Sequence, residues 1–349
     1  MDIEKNLLIR KSINDTPKST SQHKIRCEVI FWSILLILCV SATNISLPLF
    51  VKELENVQNS NGNNNSYFIL FFSALIFMLT FNIISQFENS QFKTTRRVHV
   101  HMFLIGLFNV LSDIFVVISC GENRTPVNIQ GILSQSNFIF TFLFSYFIKR
   151  ERLLKKQNIG VIFVVVGVCI SLLPMMFQKS TLTVVNLFWS SIFILGYMMA
   201  SLSIVYSDYS FKEHDMSVFK QLQLSCNYQF GIYVLVLPVY LISTGHAQGS
   251  IENFGTIFVH FFTTGVGIVG SLYILFYIGV YISLSATLKL ITANYSKLVE
   301  SLVCVVTVTF WIVFPHLNDR RVGALEICLD YLAGVVIICG IVVYVRLSK

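Results

Sequence analysis

Charge is what this sequence has least of. Asp, Glu, Lys and Arg make up 12% of its 349 residues, 54% are hydrophobic, and mean hydropathy is +0.70. A soluble domain carries about 25% charge to cover its surface, so the composition points to a lipid solvent rather than water. Clustered cysteine is also missing. None of the 8 Cys lies in a long polar loop, and Cys39, Cys169, Cys226, Cys304 and Cys339 sit within apolar runs, which argues against a disulfide framework and against Cys-based zinc sites. Met1 to Arg26 lacks the apolar stretch of a cleavable signal peptide, which leaves membrane targeting to the first span. There is no Gly-x-Gly-Asp context for an intramembrane protease and no ATP-binding loop for a pump, so enzymes are the weakest class and no cofactor or metal is expected.

Long apolar runs are abundant. A hydrocarbon core of ~30 Å needs about 20 apolar residues per helix, and ten stretches qualify: 27–50, 66–85, 99–120, 126–148, 158–177, 183–206, 217–243, 263–286, 291–314 and 327–346. Ile251 to Phe262 reads as an interfacial segment feeding the eighth. With the N-terminus in the cytosol, nineteen of the 25 Lys and Arg fall on the cytosolic side and five on the other. That bias places both termini in the cytosol and explains the net charge of +7 without nucleic acid. Asn64 and Asn123 then lie in glycosylation sequons on the far side. In the tail, Glu4 stands at the spacing from Leu8 and Ile9 used by adaptor-type sorting signals, a pattern that a short tail also holds by chance.

Laying the fourth span over the ninth at an offset of 167 puts Thr125 on Thr292, Asn128 on Tyr295 and Ser134 on Ser301; each is followed by a helix holding a glycine, Gly167 and Gly340. The expected fold is therefore an all-α integral membrane protein of ten transmembrane helices in an inverted 5+5 repeat. A polar tail (1–26) precedes the repeats 27–177 and 183–346, which form one membrane domain. Inverted repeats place a solute site near the midplane and permit alternating access.

Ionisable residues at that depth cost ~2.5–3.5 kcal/mol each on insertion scales. Asp113 stands mid-way along the third span, a candidate for binding a proton or cation if it faces a cavity and otherwise a carboxylate bonded to a neighbouring helix. Lys297 and Glu300, three apart on the ninth, form either a structural ion pair or a pair lining the site. Asp330, near Arg320 and Arg321, reads as a helix-end pair. In the fourth span Asn128, Gly131 and Gln135 fall on one helical stripe, flanked by Gln130 and Ser134. Amides can glue membrane helices together; three beside a glycine can line a cavity. His99 and His101, at the cytosolic mouth of the third span, read as interface residues rather than ligands.

These residues resemble a known family. Asn128-Ile129-Gln130 followed by Gln135 is similar to the N-I-Q-x4-Q segment of the chloroquine-resistance-transporter-like (CRT-like) family, a branch of the drug/metabolite transporter superfamily. Leu111-Ser112-Asp113 resembles its L-x-D. Gln229 and Leu235 to Tyr240, with Pro238, resemble its Q…L-x-L-P-V-Y, and the preceding loop with Asp208 and Asp215-Met216 matches the pattern. Asn44 sits where the family carries an Asn. The chain departs from it in the Cys-free stretch Gly245 to Asn253 and in the charged ninth span, which puts the charge of the substrate in question.

The resemblance implies a ten-helix drug/metabolite transporter fold and a vacuolar or lysosome-like acidic membrane. Its cargo would be a small solute such as an amino acid, peptide or organic cation. Asn44, Asn128, Gln130, Gly131, Ser134, Gln135 and Gln229 would meet the substrate; Asp113 and Glu300 would couple protons or cations; Lys297, Pro238 and Asp330 would be structural or gating. A nucleotide-sugar carrier would want more basic cavity residues than Lys297, and a thiol carrier of the same superfamily is a further alternative. A receptor or scaffold is disfavoured by short loops. Partners are the solute, protons and lipid, with monomer and homodimer both open.

Overall fold

The computed structural model describes residues 20–58, 66–88, 92, 94–120, 124–125, 130, 133–150, 155–177, 184–243, 258–263, 265–314, 317 and 324–347. Among them there are helices and no strands. Lipid offers no hydrogen-bond partner, so a spanning backbone must close its own bonds, and the helix does so within one segment. The helices are α1 (Thr20–Gln58), α2 (Ser66–Gln86), α3 (Arg96–Ser119), α4 (Ser136–Lys149), α5 (Lys155–Phe177), α6 (Val184–His214), α7 (Val218–Ser243), α8 (Gly265–Leu290), α9 (Ala293–Glu300), α10 (Val303–Val313) and α11 (Ala324–Leu347). Five contain spans long and apolar enough to cross a membrane: Arg26–Glu53, Tyr67–Gln86, Arg96–Ser119, Phe188–His214 and Gly265–Leu290. The chain is thus a multi-pass integral membrane protein. Its outer surface agrees. Phe31, Ile34 and Leu38 of α1, Ile268, Leu272 and Leu275 of α8, and Val335, Ile338 and Val342 of α11 are exposed apolar stripes at helical spacing that water would not tolerate at this extent.

Inward faces use small residues where helices cross. The extensive pairs are α5 with α11, α3 with α6, α1 with α8, α3 with α7, α4 with α6, and α2 with α7. At the α5–α11 crossing a Cβ on Gly160 would meet the Gly340 carbonyl at 2.7 Å, and one on Gly340 would meet the Gly160 carbonyl at 2.8 Å, the backbone approach that small residues permit in membranes. Exchanging the first five segments with the last five turns α3–α6 into α8–α1. It turns α4–α6 into the contacts of α9 and α10 with α1, and maps α5–α11, α2–α7 and α4–α9 onto themselves. The exception is α3–α7, whose image α8–α2 is slight.

Three segments differ from their sequence expectation. The ninth stretch is two helices, interrupted at Ser301–Leu302, where Leu302 N bonds to Val299 O and Val305 N to Leu302 O, i to i−3 contacts that tighten the turn. The fourth has the same break: α4 starts only at Ser136, after a turn in which Phe138 N bonds to Gln135 O. The bond between Phe138 and Gln135 and the bond between Val305 and Leu302 are 167 residues apart, as are the starts of α4 and α10. Gln135 therefore lies at the break rather than within one straight helix, and its stripe companions Asn128 and Gly131 lie outside the described residues. Asp208, expected in a loop, lies on α6. The described part of the segment read as feeding the eighth span, 258–263, is helical ahead of α8, with Phe261 packed on Phe50 and Phe72.

In detergent, Gly340→Leu is expected to lower the unfolding midpoint by overpacking worth about 1–3 kcal/mol, whereas Gly231→Ala, with nothing within 4 Å of its added Cβ, leaves it unchanged or higher. Thermal unfolding of both variants checks the pair.

Candidate functional site

Helices α1, α3, α4, α6, α8 and α9 surround a cavity of about 170 Å³. A water needs roughly 10–15 Å³ on this kind of measure, so the space takes a small solute rather than a stray water. Three charged side chains reach it: Asp113 from α3, and Lys297 with Glu300 from α9. Asn44, Asn109 and Asn137 add amides, and Tyr197, Tyr273, Tyr277 and Tyr281 add rings with hydroxyls.

Asp113 is held from two neighbouring helices. Gln229 Nε2 and the Tyr233 hydroxyl, both on α7, donate to Oδ2 at 3.0 Å each, and the Tyr277 hydroxyl on α8 donates to Oδ1 at 3.0 Å. Tyr281 fixes the amide by donating to Gln229 Oε1 at 3.0 Å, and Tyr67 of α2 donates to the Tyr233 carbonyl at 2.5 Å. Hydrogen bonds to a charged group contribute about 1.5–3 kcal/mol each, so three are enough to offset the insertion cost of one carboxylate. Opposite, the Lys297 ammonium pairs with the Glu300 carboxylate, their side chains 4% and 14% exposed. The pair is neutral as a unit and leaves Asp113 as the net charge of the wall.

The amides divide by use. Gln130 is buried and occupied: Nε2 donates to the Thr125 carbonyl at 2.7 Å and Cys120 Sγ to its Oε1 at 3.3 Å, tying the segment after α3 together. Gln135 is buried beside the α4 start without capping it, and neither glutamine lines the cavity, nor does Ser134. Asn44 does line it. Its own carbonyl, moreover, lacks the usual helical partner, because Pro48 four residues on has no N–H. Gln229 acts through Asp113. Pro238 is exposed on α7 and does not line the cavity. Asp330 lies on α11, but its side chain, and all of Asn128, Gly131, Asn64, Asn123, Glu4, Leu8 and Ile9, lie outside the described residues.

Missed from the sequence were Tyr233, Asn137, Asn109 and the α8 tyrosines. Tyr273, Tyr277 and Tyr281 recur every four residues, a legible helical stripe. Asn137 accepts from Ser201 Oγ at 2.6 Å and Asn109 from Ser203 Oγ at 2.5 Å, each joining its helix to α6. At one end of the cavity helices a buried carboxylate, Asp208, accepts from Lys149 of α4 and from the Ala293 amide at the N-terminus of α9 at 2.9 Å, with the Lys212 ammonium 3.3 Å from its other oxygen as an ion pair. It joins α4, α6 and α9.

The family profile for CRT-like, chloroquine-resistance transporter-like proteins matches residues 29–261, more than half of the chain. Crt homolog 3 of Dictyostelium discoideum is 31% identical over 148 residues, 42% of this chain and 30% of that protein. Crt homolog 2 of the same organism is 26% identical over 219 residues, 60% and 43% respectively. The chain thus spans less than half the length of either relative. A solved crystal structure aligns with a TM-score of 0.53 at 13% identity, covering 88% of this chain and 98% of the other, a likeness of fold alone.

Removing one member of a buried ion pair costs about 3–5 kcal/mol. Lys149→Ala is expected to destabilise by that order, and Lys149→Met with Asp208→Asn to recover part of the loss, read as unfolding midpoints in detergent.

Proposed function

The chain belongs to the CRT-like family, and from that premise we propose that it is a secondary-active carrier of small cationic or zwitterionic solutes, coupled to protons through Asp113. The observation that carries this is the cavity itself: six helices enclose a space whose wall has one net negative charge and several hydroxyl and amide groups. The architecture proposed is ten transmembrane helices in two inverted five-helix units, 27–177 and 183–346. The matched breaks before α4 and α10 and the exchange symmetry of the helix pairs support it. Broken helices beside a midplane site are how repeat-built carriers expose polar backbone to a solute. The basic-residue bias supports cytosolic termini, and an acidic vacuolar or lysosome-like membrane would supply the gradient.

Coupling is a matter of donor chemistry. Three donors converge on the Asp113 carboxylate. When it takes a proton it becomes a donor itself, and one neighbour must turn to accept. The Gln229 nitrogen has no lone pair to offer, whereas a tyrosine hydroxyl does, so Tyr277 or Tyr233 rotates and the α3–α8 or α3–α7 contact changes. The helices around the cavity thereby sense the proton. Asn44, whose carbonyl lacks its usual i+4 donor, and Asn137 are the residues proposed to meet the solute, with Glu300 held in reserve by Lys297. A nucleotide-sugar carrier is the less favoured reading, because Lys297, the one cation lining the cavity among the described residues, is paired with Glu300.

In liposomes, uptake in a screen of amino acids, short peptides, thiols, organic cations and nucleotide sugars is expected to favour cations and zwitterions and to accelerate under an inward proton gradient. Asp113→Asn is expected to abolish the acceleration while the protein stays folded. Transport by that variant that remained fully gradient-driven would overturn the coupling role, and preferential uptake of nucleotide sugars would overturn the substrate class.

A further inference from the structure

A second polar cluster lies away from the cavity, where the first turns of α3 meet the last turn of α6. His101 is on α3, and Glu213 and His214 end α6. The distance from His101 Nδ1 to His214 Nε2 is 3.2 Å, and Glu213 Oε2 lies 3.8 Å from the first and 3.9 Å from the second. Twelve residues at 1.5 Å rise separate His101 from Asp113, about 18 Å along α3, so the cluster is not part of the solute site.

We propose that His101, Glu213 and His214 form a binding site for a divalent transition-metal ion of the Zn²⁺ class, joining α3 to α6. Two ligands at 2.0–2.1 Å from a tetrahedral zinc are about 3.3 Å apart. The two imidazole nitrogens already have that separation, and the carboxylate oxygen needs to close by roughly 0.5 Å on each. Two imidazoles with one carboxylate suit zinc and its neighbours and disfavour Mg²⁺ or Ca²⁺, which take oxygen sets. The carboxylate is positioned for the task. Arg97 Nη1 donates to Glu213 Oε1 at 3.0 Å, which holds the group and leaves Oε2 turned to the histidines, the kind of outer contact that orients a metal ligand. The side chains are 13%, 23% and 12% exposed in residue order, open enough for an ion to enter and for water to take the fourth position. His99 is not part of the set, since its Nδ1 lies 3.0 Å from the Tyr228 hydroxyl. Without metal the same atoms make a His–His hydrogen bond beside an Arg–Glu ion pair, so the experiment must separate a ligand set from a polar contact.

Titration of the purified full chain with Co²⁺ is the test, because four-coordinate cobalt bound by nitrogen and oxygen absorbs in the visible. One Co²⁺ per chain is expected, displaced by Zn²⁺, with His101→Asn and His214→Asn each weakening binding by about tenfold or more. His101→Cys keeps a ligand, so binding persists with a new thiolate-to-cobalt band; this arm guards against loss of binding through misfolding. Zn²⁺ is also expected to raise the unfolding midpoint of the wild type and not that of His214→Asn. The proposal is overturned by absence of the visible band, by a thiolate band in the wild type showing that cysteine binds instead, or by binding that neither histidine variant changes.

Discussion

A carboxylate within a membrane-spanning helix has to be met by donors from the protein itself, and Asp113 sets this requirement for the helices around it. Its partners come from α7 and α8, so both must lie close to α3. Glycines make that possible. A Cβ on Gly106 of α3 would stand 2.9 Å from the Gln229 nitrogen, and one on Gly196 of α6 would stand 3.1 Å from the Ser112 carbonyl. Gly106 brings α7 near enough for Gln229 and Tyr233 to reach the carboxylate one to two turns further along. Gly196 brings α6 against the residue before it. Tyr67 and Tyr281, which touch Asp113 only through Tyr233 and Gln229, extend the constraint to α2 and further along α8.

The large-scale properties were legible in the sequence, because they depend on sums over many residues. Hydropathy, charge scarcity and the apolar runs identify a helical membrane protein, whereas the breaks in the fourth and ninth stretches, which stand at the same offset of 167, were not expected from them. Asp113 was legible too, since an isolated carboxylate in an apolar run stands out. Its partners were not. Tyr233, Tyr277 and Gln229 lie more than one hundred residues away in sequence, and tyrosine is ordinary in a membrane helix until a neighbour gives its hydroxyl a target. The fourth span shows a related limit: an amide's type does not say what it bonds, and Gln130, read beside the stripe, is committed to the Thr125 and Cys120 backbone.

Two kinds of restraint act on two different sets of helices. The Asp208 cluster joins α4, α6 and α9 through a carboxylate that is fully buried, with Lys149 on one oxygen. The Asp113 cluster joins α3, α7 and α8 through hydroxyls and one amide, groups that can exchange donor and acceptor roles. A buried ion pair is costly to open by either partner, whereas a hydroxyl network rearranges by rotation. Under the transport reading, the first cluster holds one set of helices together while the second adjusts.

Residues next to the breaks before α4 and between α9 and α10 line the same cavity. Irregular backbone is tolerated at membrane depth only where it is covered by protein or lines a polar cavity. Asn137, two residues into α4, and Lys297 with Glu300, just before the second break, all line the space that Asp113 faces. Pro48 adds a third irregularity by leaving the Asn44 carbonyl without its helical donor. Three charged side chains face the cavity, and two of them, Lys297 and Glu300, neutralise each other. The wall then presents one unbalanced carboxylate among amides and hydroxyls, groups that can both donate and accept.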